Sequence, residues 1–146
     1  MEYRRQIDID RPRTEVVDLF LDPENLKAWQ PSLVSMELLS GPDPSALGAV
    51  TRQLHRMGKR EVEMVQTITQ HDPPEAFAAT YEADKVWNLV ENRFTEIDGG
   101  RTRWVVDNTF RCAGMMRLMS ALFPGMFRKQ TLSFMESFKA FAERAG

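Results

Sequence analysis

The chain has 146 residues, 42% hydrophobic and 27% charged, with a formal net charge of −2. That is the size of one domain, able to bury about 70% of its unfolded surface, and no apolar run approaches the roughly 20 residues that span a bilayer. No basic run is dense enough to argue for nucleic acid, and Cys112, the lone cysteine, excludes an internal disulfide and suits a reducing compartment.

The opening "MEYRRQIDID" is charged and lacks the apolar core of a secretory signal, so a cytoplasmic protein is expected. Within it Ile7 and Ile9 alternate with Gln6, Asp8 and Asp10, the pattern of a half-buried strand. "RPRTEVVDLFLD" starts a helix, with Pro12 in its first turn and Val16, Val17, Phe20 and Leu21 on one face. "DPENLKAW" is a second short helix, capped by Asp22 before Pro23. "SLVSMELLS" reads as a strand, and "GPDPSALG" as a loop with two prolines.

Strands and tight turns follow. "AVTRQLHRM" and "REVEMVQTITQH" flank Gly58-Lys59, a two-residue hairpin signal. "DPP" interrupts before "EAFAATYEA", and "KVWNLVENRFTEI" and "RTRWVVDNTFRC" flank Asp98-Gly99-Gly100. The order is one strand, two helices, six strands and one long helix, which makes an antiparallel α+β domain over residues 1–146. Phe127, Thr131, Phe134, Phe138 and Phe141 fall on one face of the terminal helix, the stripe that covers the sheet. Pro124-Gly125 breaks this segment and leaves Met115–Phe123 as a separate apolar piece.

The strand-to-helix opening "IDIDRPRTEVVDLF", then "DPENLKAWQP", "GGRTRW" before the last strand and the closing "FRKQTLSFMESFKAFAE" carry a resemblance over essentially the whole chain. In these features the sequence resembles the START-like (SRPBCC) helix-grip superfamily, in particular its polyketide cyclase/dehydrase-like branch. The resemblance implies a curved seven-stranded antiparallel sheet gripping the last helix, with a cavity between them for a hydrophobic or aromatic small molecule. It fixes no reaction, because fold does not determine chemistry.

Strand parity sorts the side chains. Val62, Met64, Gln66 and Ile68 oppose Glu61, Glu63 and Thr67, and Asn88, Asn92, Trp104 and Asn108 oppose a charged set. A two-residue turn at Gly58-Lys59 pairs Arg56 with Glu61 outside and His55 with Val62 inside, so Gln53 and Thr51 also point inward. The expected ligand-binding wall is Gln53, Met64, Gln66, Asn88, Asn92, Trp104, Asn108, Phe127, Phe134 and Phe138. His55 and Tyr81 are the candidate proton carriers of a cyclase or dehydratase, against a structural histidine. Trp29 and Trp87 read as packing residues. Two histidines and one cysteine make no zinc or iron site, and no cofactor is expected.

Residues 101–146 carry 8 basic and 3 acidic side chains. Three readings of Met115–Phe123 stay open: a mobile gate, simple packing, or, beside Arg117, Arg128 and Lys129, a membrane contact of a lipid or quinone carrier. The chain is expected as a monomer or homodimer, with Lys139 and Glu143 facing water.

Overall fold

The computed structural model describes residues 1–145, and Gly146 of the expected domain lies outside the described residues. Strand β1 (Glu2–Ile9) leads to helix α1 (Arg13–Leu21), a 3-10 turn (Pro23–Asn25) and α2 (Leu26–Trp29). Then come β2 (Leu33–Ser40), β3 (Val50–Met57), β4 (Arg60–Asp72), β5 (Ala76–Ala83), β6 (Val86–Glu96) and β7 (Thr102–Cys112). Helices α3 (Gly114–Leu122) and α4 (Pro124–Arg144) follow. The strands form one antiparallel sheet in the order β1-β7-β6-β5-β4-β3-β2. Six consecutive strands meander, and β1 closes on β7.

Local chemistry sets the boundaries. Pro12 stands one place earlier than expected, at the N-cap of α1, where its carbonyl accepts from the Val16 N–H. The Asp22 carboxylate accepts from the Glu24 N–H at 3.0 Å, which starts the turn into α2. Gly58 (φ 65°) supplies the left-handed conformation of the β3–β4 turn, so Met57 pairs with Arg60. His55 therefore faces Val62, and Arg56 meets Glu61 on the outer face at 2.8 Å. Phe123, in a non-helical conformation, separates α3 from α4, with Pro124 at the first turn of the new helix.

Aromatic rings fill the space between α1, α2, α4 and the sheet. Phe20 lies within 5.9 Å, centroid to centroid, of Trp29, Phe77, Phe94, Trp104 and Phe138. Ile9, Val16, Trp104, Met135, Phe138 and Ala142 are wholly buried. Polar ties hold α4 across this core. The Tyr3 hydroxyl contacts the Phe127 carbonyl at 3.0 Å and Thr131 Oγ1 at 2.7 Å, and Ser137 Oγ donates to the Trp29 carbonyl at 2.8 Å. Lys139 and Glu143 do not simply face water. Lys139 donates to the Asp8 carbonyl, while the Glu143 carboxylate accepts from the Asp10 N–H at 2.8 Å and pairs with Lys139. Both stem from the side of α4 that meets the end of β1, where unpaired backbone groups need partners.

Candidate functional site: a small cleft fed by a polar chain

Helices α1 and α2, the loop before β3, the β4–β5 pair and α4 enclose a cleft of ≈ 50 Å³. Its walls are Phe20, Leu21, Pro23, Leu26, Trp29, Gln30, Met36, Pro44, Ser45, Gln66, Ile68, Phe77, Tyr81 and Phe134. At about 10–15 Å³ per water it has room for a few waters. Pockets that enclose a drug-sized molecule measure roughly 300–1,000 Å³. The cavity expected from the sequence is a small one here, because the aromatic cluster packs into the space beneath α4.

Gln66, Tyr81 and Phe134 stand on this cleft. The other residues expected on its wall are placed elsewhere, for identifiable reasons. Asn92 and Trp104 satisfy one another in the closed core: Trp104 Nε1 donates to Asn92 Oδ1 at 3.0 Å, and Asn92 Nδ2 donates to the Phe77 carbonyl at 3.1 Å. Phe138 is wedged between Trp29 and Trp104, with ring centroids at 4.9 and 5.3 Å. Phe127 covers Phe110 near the other end of the sheet, 4.9 Å between centroids. Asn88 donates to Asn108 Oδ1 at 3.3 Å and to the Thr109 carbonyl at 3.1 Å. Asn108 is 3% exposed, and its Nδ2 has no partner among the described residues. Met64 lies opposite Gln53 on the inner face, beyond the cleft. Parity sorts faces correctly but cannot tell a closed from an open part of the same face.

The inward polar residues of β3, β4 and β5 form one continuous chain. Ser32 Oγ lies 2.9 Å from His55 Nδ1, and His55 Nε2 lies 2.9 Å from Gln53 Oε1. Gln53 Nε2 donates to Gln66 Oε1 at 3.0 Å, and Gln66 Nε2 donates to the Tyr81 oxygen at 2.8 Å. Thr51 Oγ1 bridges the two glutamines at 3.3 and 3.1 Å. Gln53 Nε2 also faces Met36 Sδ at 3.9 Å, an atom that accepts but cannot donate. That contact agrees with the sense of the chain as it stands. Donation runs from Ser32 through neutral His55, protonated at Nε2, to Tyr81. The Tyr81 hydrogen is then left over, on a residue that lines the cleft.

Burial pulls the His55 imidazole below its ordinary pKa, and burial also pushes the Tyr81 phenol up, so both are neutral at pH 7. His55 is on the inner side, as parity expects, but it does not reach the cleft. Two side-chain amides separate it from Tyr81, and an amide passes a proton onward only through a high-energy imidic tautomer. His55 is held in this chain between Ser32 and Gln53.

Trp29, read from the sequence as packing, also lines the cleft; it is 1% exposed, and its Nε1 has no partner among the described residues. Trp87 is on the outer side, under the Arg111 guanidinium at 4.8 Å. Ser32, which ends the polar chain, carried no signal, since a serine before a strand is common. Trp29 did carry one: it follows directly on the capped Asp22-Pro23 turn, which fixes where α2 must point. Among the described residues no cluster of histidine, cysteine, aspartate or glutamate is arranged to hold a metal ion.

The sheet gripping a long terminal helix, with a cleft between them, matches a known family along nearly the whole chain. Residues 1–143 match the family described as polyketide cyclase / dehydrase and lipid transport. The chain belongs to this family. Solved structures agree on the fold, a START-like helix grip. A conserved protein from Geobacillus kaustophilus superposes with a TM-score of 0.80 at 15% identity, covering 97% of this chain and 95% of that one. The Zhui aromatase/cyclase from Streptomyces sp. R1128 gives 0.79 at 16% identity, covering 99% and 94%. Ara h 8.0201 gives 0.76 at 14% identity, covering 97% of both chains. At such identities the likeness speaks for the fold alone. Among curated proteins, none matches the sequence.

Proposed function

We propose that the protein binds a hydrophobic small molecule that carries a hydrogen-bond acceptor, such as a ketone or quinone oxygen. The observation that carries this reading is an uncommitted donor, the Tyr81 O–H, on a residue of a cleft walled mostly by apolar side chains. A buried donor without a partner costs about 1–3 kcal/mol, which an acceptor of the ligand would recover. Family membership supports the same reading, since the family description covers cyclases and lipid transport. An acid or base poised near pH 7 is what cyclase or dehydratase catalysis needs, and the Tyr81 phenol is shifted away from neutrality. Binding accordingly stands ahead of catalysis.

A ligand larger than a few atoms requires the cleft to widen. The loop between β2 and β3 holds Pro44 and Ser45 over the cleft, so widening would displace it. The test uses prodan, a naphthyl ketone whose emission reports hydrogen bonding to its carbonyl, beside naphthalene, which has no acceptor. Tyr81→Phe is expected to weaken prodan binding about tenfold, the worth of one hydrogen bond, while naphthalene binding is unchanged. Failure of wild-type protein to bind either probe would overturn the reading.

A further inference from the structure

Helix α3 has its apolar side facing the wrong way for a helix that merely packs. A surface helix normally turns its apolar stripe to the core. Here Met115, Leu118 and Leu122, spaced as one helical stripe, point to water at 67%, 53% and 61% exposure, and none of the helix's residues is buried. The stripe runs on into Phe123 and Met126, exposed at 54% and 47%. Met57, at the tip of the β3–β4 hairpin, adjoins α4 through its contact with Gln130 at 3.9 Å. Its exposure of 39% brings a second element to the same end of the molecule.

The charge around this surface is mostly positive. From Asn108 to Met135 the chain has no carboxylate, yet it carries Arg117, Arg128 and Lys129, all exposed. Lys59 and Lys85, both exposed, occupy the two hairpin turns at the same end of the sheet. Of the carboxylates there, Glu61 is engaged by Arg56 and Asp84 sits in the turn beside Lys85.

We propose that α3 and the first turn of α4 form a docking surface for an anionic lipid bilayer. The apolar stripe enters the boundary between headgroups and acyl chains, and the flanking cations meet the headgroups. Charge decides between this occupant and a second copy of the chain. A two-fold contact through α3 would set like cations against one another, since the same patch faces itself in both copies. An anionic surface complements them. The proposal concerns a surface apart from the cleft, so it stands or falls independently of the ligand-binding reading.

Flotation with vesicles of phosphatidylglycerol and phosphatidylcholine, against vesicles of phosphatidylcholine alone, tests it. Wild-type protein is expected to float with the anionic vesicles at low salt, to be released as salt rises, and to stay soluble with the neutral ones. L118D/L122D is expected to abolish flotation with an unchanged melting temperature, because both positions are exposed. R117Q/K129Q is expected to reduce partitioning about thirtyfold, at roughly fivefold per cation near a charged surface. Wild-type protein that stays soluble at low salt, or floats equally on neutral vesicles, would overturn the proposal. So would a dimer in light scattering that L118D/L122D dissociates without any wild-type flotation.

Discussion

Phe134 and Phe138 are one helical turn apart on the same stripe of α4, yet they should respond very differently to truncation. Phe138 is 0% exposed, and its ring lies 5.5, 4.9 and 5.3 Å from those of Phe20, Trp29 and Trp104. All three neighbours are large, buried and held by packing or hydrogen bonds of their own, so the site cannot collapse. Phe138→Ala is therefore expected near the middle of the range for buried phenylalanine, about 4 kcal/mol. At about 3 °C per kcal/mol for a domain of this size, the melting temperature should fall by about 12 °C. Phe134 packs at a tilt against Trp29, 4.8 Å between centroids, but also borders the cleft, so part of its ring already faces space. Its loss should cost about half as much, roughly 2 kcal/mol and 6 °C, and should enlarge the cleft. Thermal unfolding followed by circular dichroism, with 1-anilinonaphthalene-8-sulfonate as a reporter, separates the two. Phe134→Ala should bind more dye in its folded state and Phe138→Ala should not. Equal losses with unchanged dye binding would refute the assignment of one ring to the closed core and the other to the cleft.

Trp104→Phe should destabilise by about 1–3 kcal/mol, because Asn92 Oδ1 is left unpaired in the core. In urea titrations the Trp104→Phe/Asn92→Leu double variant should lose less than the sum of the single changes, and strict additivity would refute the pair as a unit. His55 gives a pH signature. Its folded pKa is depressed, so the unfolded state binds the proton first and stability falls as pH drops below about 6.5. The slope should not exceed about 1.4 kcal/mol per pH unit, and His55→Gln should flatten it in denaturant titrations between pH 7 and 5. Asp8 and Glu143 act lower, their pKa values being reduced chiefly by hydrogen bonds from Arg103 and the Asp10 N–H. Their contribution should disappear only below about pH 4.

Nearly all of the architecture was legible because it rests on short-range chemistry. The hairpin at Gly58-Lys59 fixes the register of β3 on β4, and that register alone places His55, Gln53 and Thr51 inside. The break at Pro124 follows from proline's missing N–H. The cleft was less legible, since its position depends on packing between elements far apart in the chain. Nothing local distinguishes Asn92, sealed against Trp104, from Gln66, which reaches the cleft. Both are amides with inward parity on neighbouring stretches of one sheet. The outcome turns on where Phe20 from α1 and Phe138 from α4 converge, which closes one part of the concave face and spares the other. Lys139 was misjudged for a similar reason: its partner, the Asp8 carbonyl, belongs to the opposite end of the chain.

The polar chain limits what the cleft accepts, whatever the identity of the ligand. Ser32, His55, Gln53, Gln66 and Tyr81 are joined in series, and a linear series of hydrogen bonds can never satisfy both of its own ends. One end, Ser32, is half-buried near the molecular surface, where water can complete it. The other end, Tyr81, is part of the cleft wall. With donation running from Ser32 inward, the unmet group is a hydrogen. Were the glutamines to turn over together, it would become a lone pair on the same oxygen. In either sense the chain leaves one unmatched polar atom at Tyr81, among mostly apolar walls. A ligand without a complementary group leaves this atom unpaired and forfeits about 1–3 kcal/mol, roughly 5- to 150-fold in affinity. In the proposed binding role the chain would act as a filter, favouring apolar molecules that carry one suitably placed heteroatom over hydrocarbons of the same shape.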